Sequence, residues 1–203
     1  MPDRREFLDV ALLAGIGVAC AAPARTAEAL TAYAPRVLSA RELATLMAVM
    51  ARLIPADADS GGAVEAAAYV YVDQALSGYL APHLPAYRSG LAALDAASGS
   101  AAGQDFAAAA ASVQDALLRS MEAGALDVVR PDGGREFFAL VRRHTIEGLL
   151  CDPMYGGNRN FLGWDLIGFH GVTLFYSVHA QAIGGQPAVP QRSIAAYGGH
   201  AEL

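Results

Sequence analysis

Residues 39–55 read S-A-R-E-L-A-T-L-M-A-V-M-A-R-L-I-P, and this stretch specifies a helix start, a buried face and a stop. Ser39 and Glu42 have capping-box spacing. The Ser39 hydroxyl can accept from the Glu42 amide while the Glu42 carboxylate reaches back to the Ser39 amide. Leu43, Leu46, Met47, Met50, Leu53 and Ile54 follow at three- and four-residue spacing and form one apolar stripe. Pro55 has no amide hydrogen to give, so the helix ends there.

The same period continues outward along the chain. After the polar turn P-A-D-A-D-S-G-G, the segment Ala63–Leu80 sets Val64, Ala67, Ala68, Tyr71, Val72, Ala75 and Leu76 on one face and predicts a second helix. Pro82 and Pro85 punctuate, and Tyr87, Leu91 and Leu94 predict a third helix ending near Gly99. An alanine tract from Ala107, with Val113, Ala116, Leu117 and Met121, predicts a fourth that ends at Gly124. A fifth runs from Gly134 to Leu150 and carries Phe137, Phe138, Val141, Ile146, Leu149 and Leu150. Isolated helices of this length are marginal in water, so they must pack on one another. The expected fold is therefore all-α, a compact bundle of about five helices. No alternating strand pattern, repeat or heptad run is present. After Gly171, V-T-L-F-Y-S-V reads as a short strand or a helical turn, and the Gly- and Pro-rich end reads as an extended or disordered arm.

Composition narrows the function. The 203 residues carry a formal charge of −6, and all 14 basic side chains are arginine. No basic stripe is available to neutralise phosphates, so nucleic acid is not an expected partner. Much of the 54% hydrophobic content is alanine, which favours helix while burying little area per residue.

The N-terminus begins M-P-D-R-R-E-F-L-D-V. Arg4 and Arg5 precede a modestly apolar run from Val10 to about Ala24, with A-x-A sites ending at Ala24 or Ala29. The run is too short and too rich in Gly and Ala to span a bilayer, which takes roughly 20 strongly apolar residues. Arg4, Arg5, Phe7 and Leu8 form an R-R-x-F-L core that resembles the twin-arginine export signal, with Asp3 and Asp9 as departures from its usual flanks. The expected organisation is residues 1–29 as signal, 30–38 as linker, 39–171 as the helical domain and 172–203 as the arm, with the product in the periplasm. Removing such a signal takes Cys20 with it and leaves Cys151 alone, so no internal disulfide is expected.

Catalytic patterns are weak. His144 and Glu147 stand three apart, as metal-binding pairs on helices do, but no other helix repeats the motif. Their expected role is a surface or interface ion pair with Arg142 or Arg143. His170 and His179 are too far apart to chelate, no G-x-S-x-G elbow occurs, and Gly156-Gly157 lacks the spacing of a nucleotide loop. No catalytic residue, cofactor or metal is assigned to this chain.

The segment C-D-P-M-Y-G-G-N-R-N-F-L-G-W-D-L-I-G-F-H-G, residues 151–171, is different in kind. Asp152-Pro153 favours a turn, Gly156 and Gly157 open backbone angles closed to other residues, and Asn158 and Asn160 can bond local backbone. A loop of defined shape is expected. Phe161, Trp164 and Phe169 either plug the end of the bundle or anchor a partner.

These residues also carry a resemblance. The run from Arg135 to Phe169, above all E-G-x-x-x-D-P-x-Y-G-G-N-R followed by G-W-x-x-I-G-F, resembles the gluconate 2-dehydrogenase subunit 3 family, and A-R-L-I-P-A-D at the end of the first helix is similar too. The resemblance covers roughly residues 39–171; Leu149, Leu150 and Cys151 depart from its usual residues. It implies a non-catalytic small subunit of a membrane-associated sugar or polyol dehydrogenase. The FAD would lie in a large subunit of the glucose-methanol-choline type, with a multihaem cytochrome c often attached. The small subunit would help that partner mature and supply the twin-arginine signal for both. The interface this implies is Asp152, Tyr155, Gly156, Gly157, Asn158, Arg159, Phe161, Trp164 and Phe169. Two other readings compete: a ferritin-like helical metal-binding protein, and a stand-alone periplasmic adaptor.

Overall fold

The computed structural model describes residues 33–126, 133–174 and 190–198. The signal residues Arg4, Arg5, Phe7 and Leu8 lie outside them.

The capping box forms as its spacing dictates. Ser39 Oγ accepts from the Glu42 amide at 3.2 Å, and Glu42 Oε2 accepts from the Ser39 amide at 2.7 Å. It opens α1, Ala40–Leu53, which buries Leu43, Leu46, Met47 and Met50. Each such side chain taken out of water stabilises the fold by roughly 1.5–3 kcal/mol.

The second helix starts later than its periodicity predicts. Residues 63–67 form a turn in which Ala67 takes the left-handed conformation, φ 57 and ψ 32, and α2 runs only over Ala68–Leu76. Tertiary bonds explain the delay. The Ala63 amide donates to the Ile54 carbonyl at 3.0 Å, and the Ala66 carbonyl accepts from the distant Arg159 amide at 2.9 Å. The Ala63 amide would have no acceptor within a helix begun there, so its bond fixes the turn; the Ala66 carbonyl, taken by Arg159, does not receive the Val70 amide, which bonds Ala67 instead.

A 3-10 turn, Ala81–His83, leads into α3, Leu84–Ala102, which passes Gly99 and stops at a left-handed Gly103. The alanine tract does not begin α4. Phe106–Ala108 is a 3-10 turn with Phe106 fully buried, and α4 covers Ala111–Glu122. α5 covers Gly133–Leu150 and a short α6 covers Leu162–Ile167. The described residues thus hold six α-helices and no strand; one isolated parallel bridge joins Gly171 to Arg192.

α1 lies at the centre and touches α2, α3, α4 and α5. Its stripe meets Tyr69, Val72 and Leu76 of α2, Tyr87, Leu91 and Leu94 of α3, Leu117 and Met121 of α4, and Phe137 and Val141 of α5 in one continuous core. Ile146, placed by periodicity on the buried face of α5, is exposed.

Two buried carboxylates tie distant segments to this core. Asp73 of α2 is fully buried and accepts from Tyr33 Oη at 2.8 Å and from the amides of Arg36, Val37 and Leu38 at 2.5, 3.2 and 2.9 Å. The described end of the expected linker is therefore anchored. Asp95 of α3 accepts from Thr45 Oγ1 at 3.0 Å, Arg41 Nε at 2.9 Å and the Phe106 amide at 3.2 Å. Each satisfies the rule that buried charge needs several donors.

Candidate interaction site

The segment from Cys151 to Gly171 closes one end of the bundle, and Asn158 organises it. This side chain is fully buried. Its Nδ2 donates to the Cys151 carbonyl at 2.9 Å, and its Oδ1 accepts from the amides of Gly163 at 2.8 Å and Trp164 at 3.4 Å. Its own amide donates to the Gly148 carbonyl at 3.0 Å. One amide group thereby ties the end of α5 to the start of α6, using both of its functions.

Trp164 is the plug. It is 4% exposed, and its Nε1 donates to the Leu150 carbonyl at 2.8 Å. Phe161 stacks on it at 5.3 Å between ring centroids, and Phe169 meets it edge-on at 4.9 Å. Gly163 permits the approach of α6 to α5, because a Cβ there would sit 1.8 Å from the Leu149 carbonyl oxygen.

The shape is held against local preference. Asn158, Asn160 and Phe161 all take positive φ, at 46, 56 and 61 degrees. Asparagine tolerates this region, but a residue such as Phe161 is disfavoured there by roughly 1–2 kcal/mol. Left-handed Ala67 belongs to the turn that receives the Arg159 amide through Ala66. Non-glycine residues in strained conformations thus face each other across the contact between the α2 entry and the loop. Such strain persists only where the surroundings over-determine it, and it concentrates where shape matters.

The nine residues expected at an interface divide by their surroundings. Gly157, Asn158 and Trp164 are buried, Asp152, Gly156 and Phe161 are half-buried, and Tyr155, Arg159 and Phe169 are exposed. Of the two roles open to the aromatics, Trp164 takes the plug, and Phe169 has one edge on the plug and 44% of its surface in solvent. Around them Met154, Leu166, Ile167 and Leu174 are also exposed, at 42, 47, 60 and 50%.

Asp152 faces a segment whose contacts the sequence did not announce. It caps its own turn by accepting from the Met154 amide at 3.0 Å, and it also accepts from Ser193 Oγ at 2.5 Å and the Ile194 amide at 2.8 Å. Ser193 caps the 3-10 turn Ile194–Tyr197 by accepting from the Ala195 amide. Serine before I-A-A-Y is a legible turn signal; nothing local names Asp152 as its partner.

His144 corrects the expectation of a surface ion pair. Glu147 does meet Arg143, at 3.8 Å, but His144 is 1% exposed and turns inward onto Tyr87 and His83. Burial, with Arg143 and His83 nearby, lowers its pKa to about 4. Beyond it, Tyr71 contacts both Tyr79, through a short hydroxyl pair, and Glu147. Burial and these neighbours raise the Tyr71 pKa well above its ordinary value. Among the described residues no three His, Cys, Asp or Glu side chains converge to hold a metal ion, and no helix is long and apolar enough to cross a membrane.

Residues 40–171 match the family model described as gluconate 2-dehydrogenase subunit 3. No curated protein and no solved structure matches the chain.

Proposed function

The chain belongs to the gluconate 2-dehydrogenase subunit 3 family, and on that premise we propose that it is a non-catalytic small subunit which binds an FAD-containing catalytic subunit, helps it mature and carries it across the membrane through the twin-arginine pathway. The family is that of a small subunit of a dehydrogenase complex. The flavin and the oxidation of a sugar or polyol belong, in this reading, to a partner of the glucose-methanol-choline type, with a multihaem cytochrome c as a further component. The complex works in the periplasm, and this chain reaches the membrane only through it.

The observation that carries the reading is the loop itself. A strained frame pinned by the Asn158 hydrogen bonds leaves Tyr155, Arg159, Phe169, Leu166 and Ile167 exposed at the end of the bundle. Exposed aromatic, Arg and aliphatic side chains on a rigid base lose little freedom on docking, which favours association. The R-R-x-F-L leader accounts for export, since a flavoprotein that crosses already folded needs one such signal per complex.

Co-expression tests it. The flavoprotein subunit is produced with and without this chain, and periplasmic dye-linked dehydrogenase activity is measured. Active flavoprotein in the periplasm only when this chain is present is the expected result; equal activity without it would overturn the proposal. Replacing Arg4 and Arg5 by lysine should retain both proteins in the cytoplasm.

A further inference from the structure

Residues 190–198 lie beyond the matched family region, which ends at 171, yet they contact both ends of the candidate interaction segment. At its start, Asp152 receives the Ser193 hydroxyl and the Ile194 amide. At its finish, Gln191 Nε2 donates to the Phe169 carbonyl at 2.8 Å, the Val172 amide donates to the Arg192 carbonyl at 2.8 Å, and Tyr197 Oη donates to the Val172 carbonyl at 2.9 Å. Gly171 makes the approach possible. It has φ 84, and a Cβ there would lie 2.5 Å from the Arg192 carbonyl oxygen and 3.1 Å from the Trp164 ring.

We infer that residues 190–198 are a staple: by joining Asp152 to the 169–172 backbone they hold the intervening loop in its docking shape, with Asp152 as the positioning residue that receives them. The inference rests on the partner reading above. The physical need is plain, since Asn158, Asn160 and Phe161 sit at disfavoured positive φ and such backbone relaxes unless its ends are fixed. Asn158 and the Trp164 indole tie the middle of the loop to the end of α5; the strap adds the link from Asp152 to the backbone at 169–172. Binding to a loop already ordered avoids the entropy of ordering it at the moment of docking.

The strap side can be altered without touching the Asp152 cap on Met154. Ile194→Pro removes one donor at a position that suits proline, because Ser193 is extended, φ −70 and ψ 154, and Ile194 is the first residue of its turn. Ser193→Ala removes the other. Amide hydrogen exchange is measured on the full chain without a partner, and assembly is measured by titration with the flavoprotein subunit. In the double variant S193A/I194P, exchange at residues 158–171 should quicken about tenfold while the cores of α1 and α3 keep wild-type protection. Affinity for the flavoprotein should fall by a similar factor. Ser193→Thr, which keeps a hydroxyl, should restore both relative to Ser193→Ala. Unchanged exchange at residues 158–171 overturns the inference, and so does a loosened loop with undiminished affinity. A wild-type chain that captures no flavoprotein would instead count against the partner reading, and the exchange measurement would still decide the staple.

Discussion

Tyr87 and His144 lie with rings nearly parallel, 5.9 Å between centroids, and Tyr87 Oη is 3.0 Å from His144 Nδ1. The other ring nitrogen fixes the tautomer. Arg143 Nη2 lies 3.3 Å from His144 Nε2, and a guanidinium can only donate, so Nε2 accepts and the proton of the neutral ring sits on Nδ1, donated to Tyr87. A second proton would have to enter at Nε2, facing a cation.

Acid should therefore weaken the fold through this residue. The unfolded chain takes up the proton near 6.5 and the folded chain only near 4, so between these values the unfolded state binds more protons and stability rises with pH. The contribution is complete above 6.5, declines as pH falls below it, and is gone below about 4. Its size is on the order of 3 kcal/mol. Urea titrations from pH 7.5 to 4 should show a shallower loss for His144→Gln than for wild type; parallel curves would refute the assignment.

Asp73→Ala should be among the most damaging single changes. It strands the amides of Arg36, Val37 and Leu38 and the Tyr33 hydroxyl, and a loss of about 3 kcal/mol is expected for orphaned buried donors. Thermal and urea melts measure the loss, and amide exchange at residues 36–38 should rise first.

Trp164 is the single tryptophan, so its fluorescence reports on the loop alone. Gly163→Ala drives a methyl group into the Leu149 carbonyl, and α6 must move away from α5. A red-shifted emission and easier acrylamide quenching are expected, with destabilisation of about 1–3 kcal/mol from overpacking. An unshifted spectrum would mean that the loop accommodates the methyl group in place.

Cys151 should be a sluggish thiol. Burial raises its pKa from 9.0 to about 11, with Asp152 adding to the effect, which cuts the thiolate fraction at pH 8 by about 100-fold. Disulfide-exchange labelling of Cys151 at pH 8, in a Cys20→Ala background, should be slower by about that factor in the native state than in guanidinium chloride.

How far the sequence reveals the fold depends on the reach of each interaction. The Ser39–Glu42 box and the α1 stripe are written in neighbouring residues and appear as expected, whereas the choice between plug and anchor for Phe161, Trp164 and Phe169 is not local: Trp164 is buried with its indole bonded to the Leu150 carbonyl. The entry to α2 is not local either, because alanine carries no mark of left-handed backbone, and the turn around Ala67 is set by the bonds of Ala63 to Ile54 and of Ala66 to Arg159. The burial of His144 depends on Tyr87, 57 positions away. The Asp152–Ser193 contact spans 41. Asn158 was legible as a turn residue but not as the joint between α5 and α6, since its partners are backbone groups that any residue would offer.

The Asp73 clamp also bears on processing of the chain. A protease that cut between Tyr33 and Leu38 would part the buried Asp73 carboxyl from its donors, whereas cleavage after Ala24 or Ala29 would spare the described bonds of the clamp. On the proposed export reading, leader removal thus has a downstream limit at Tyr33, set by a carboxylate 40 residues farther along, and a chain trimmed past that limit should be less stable.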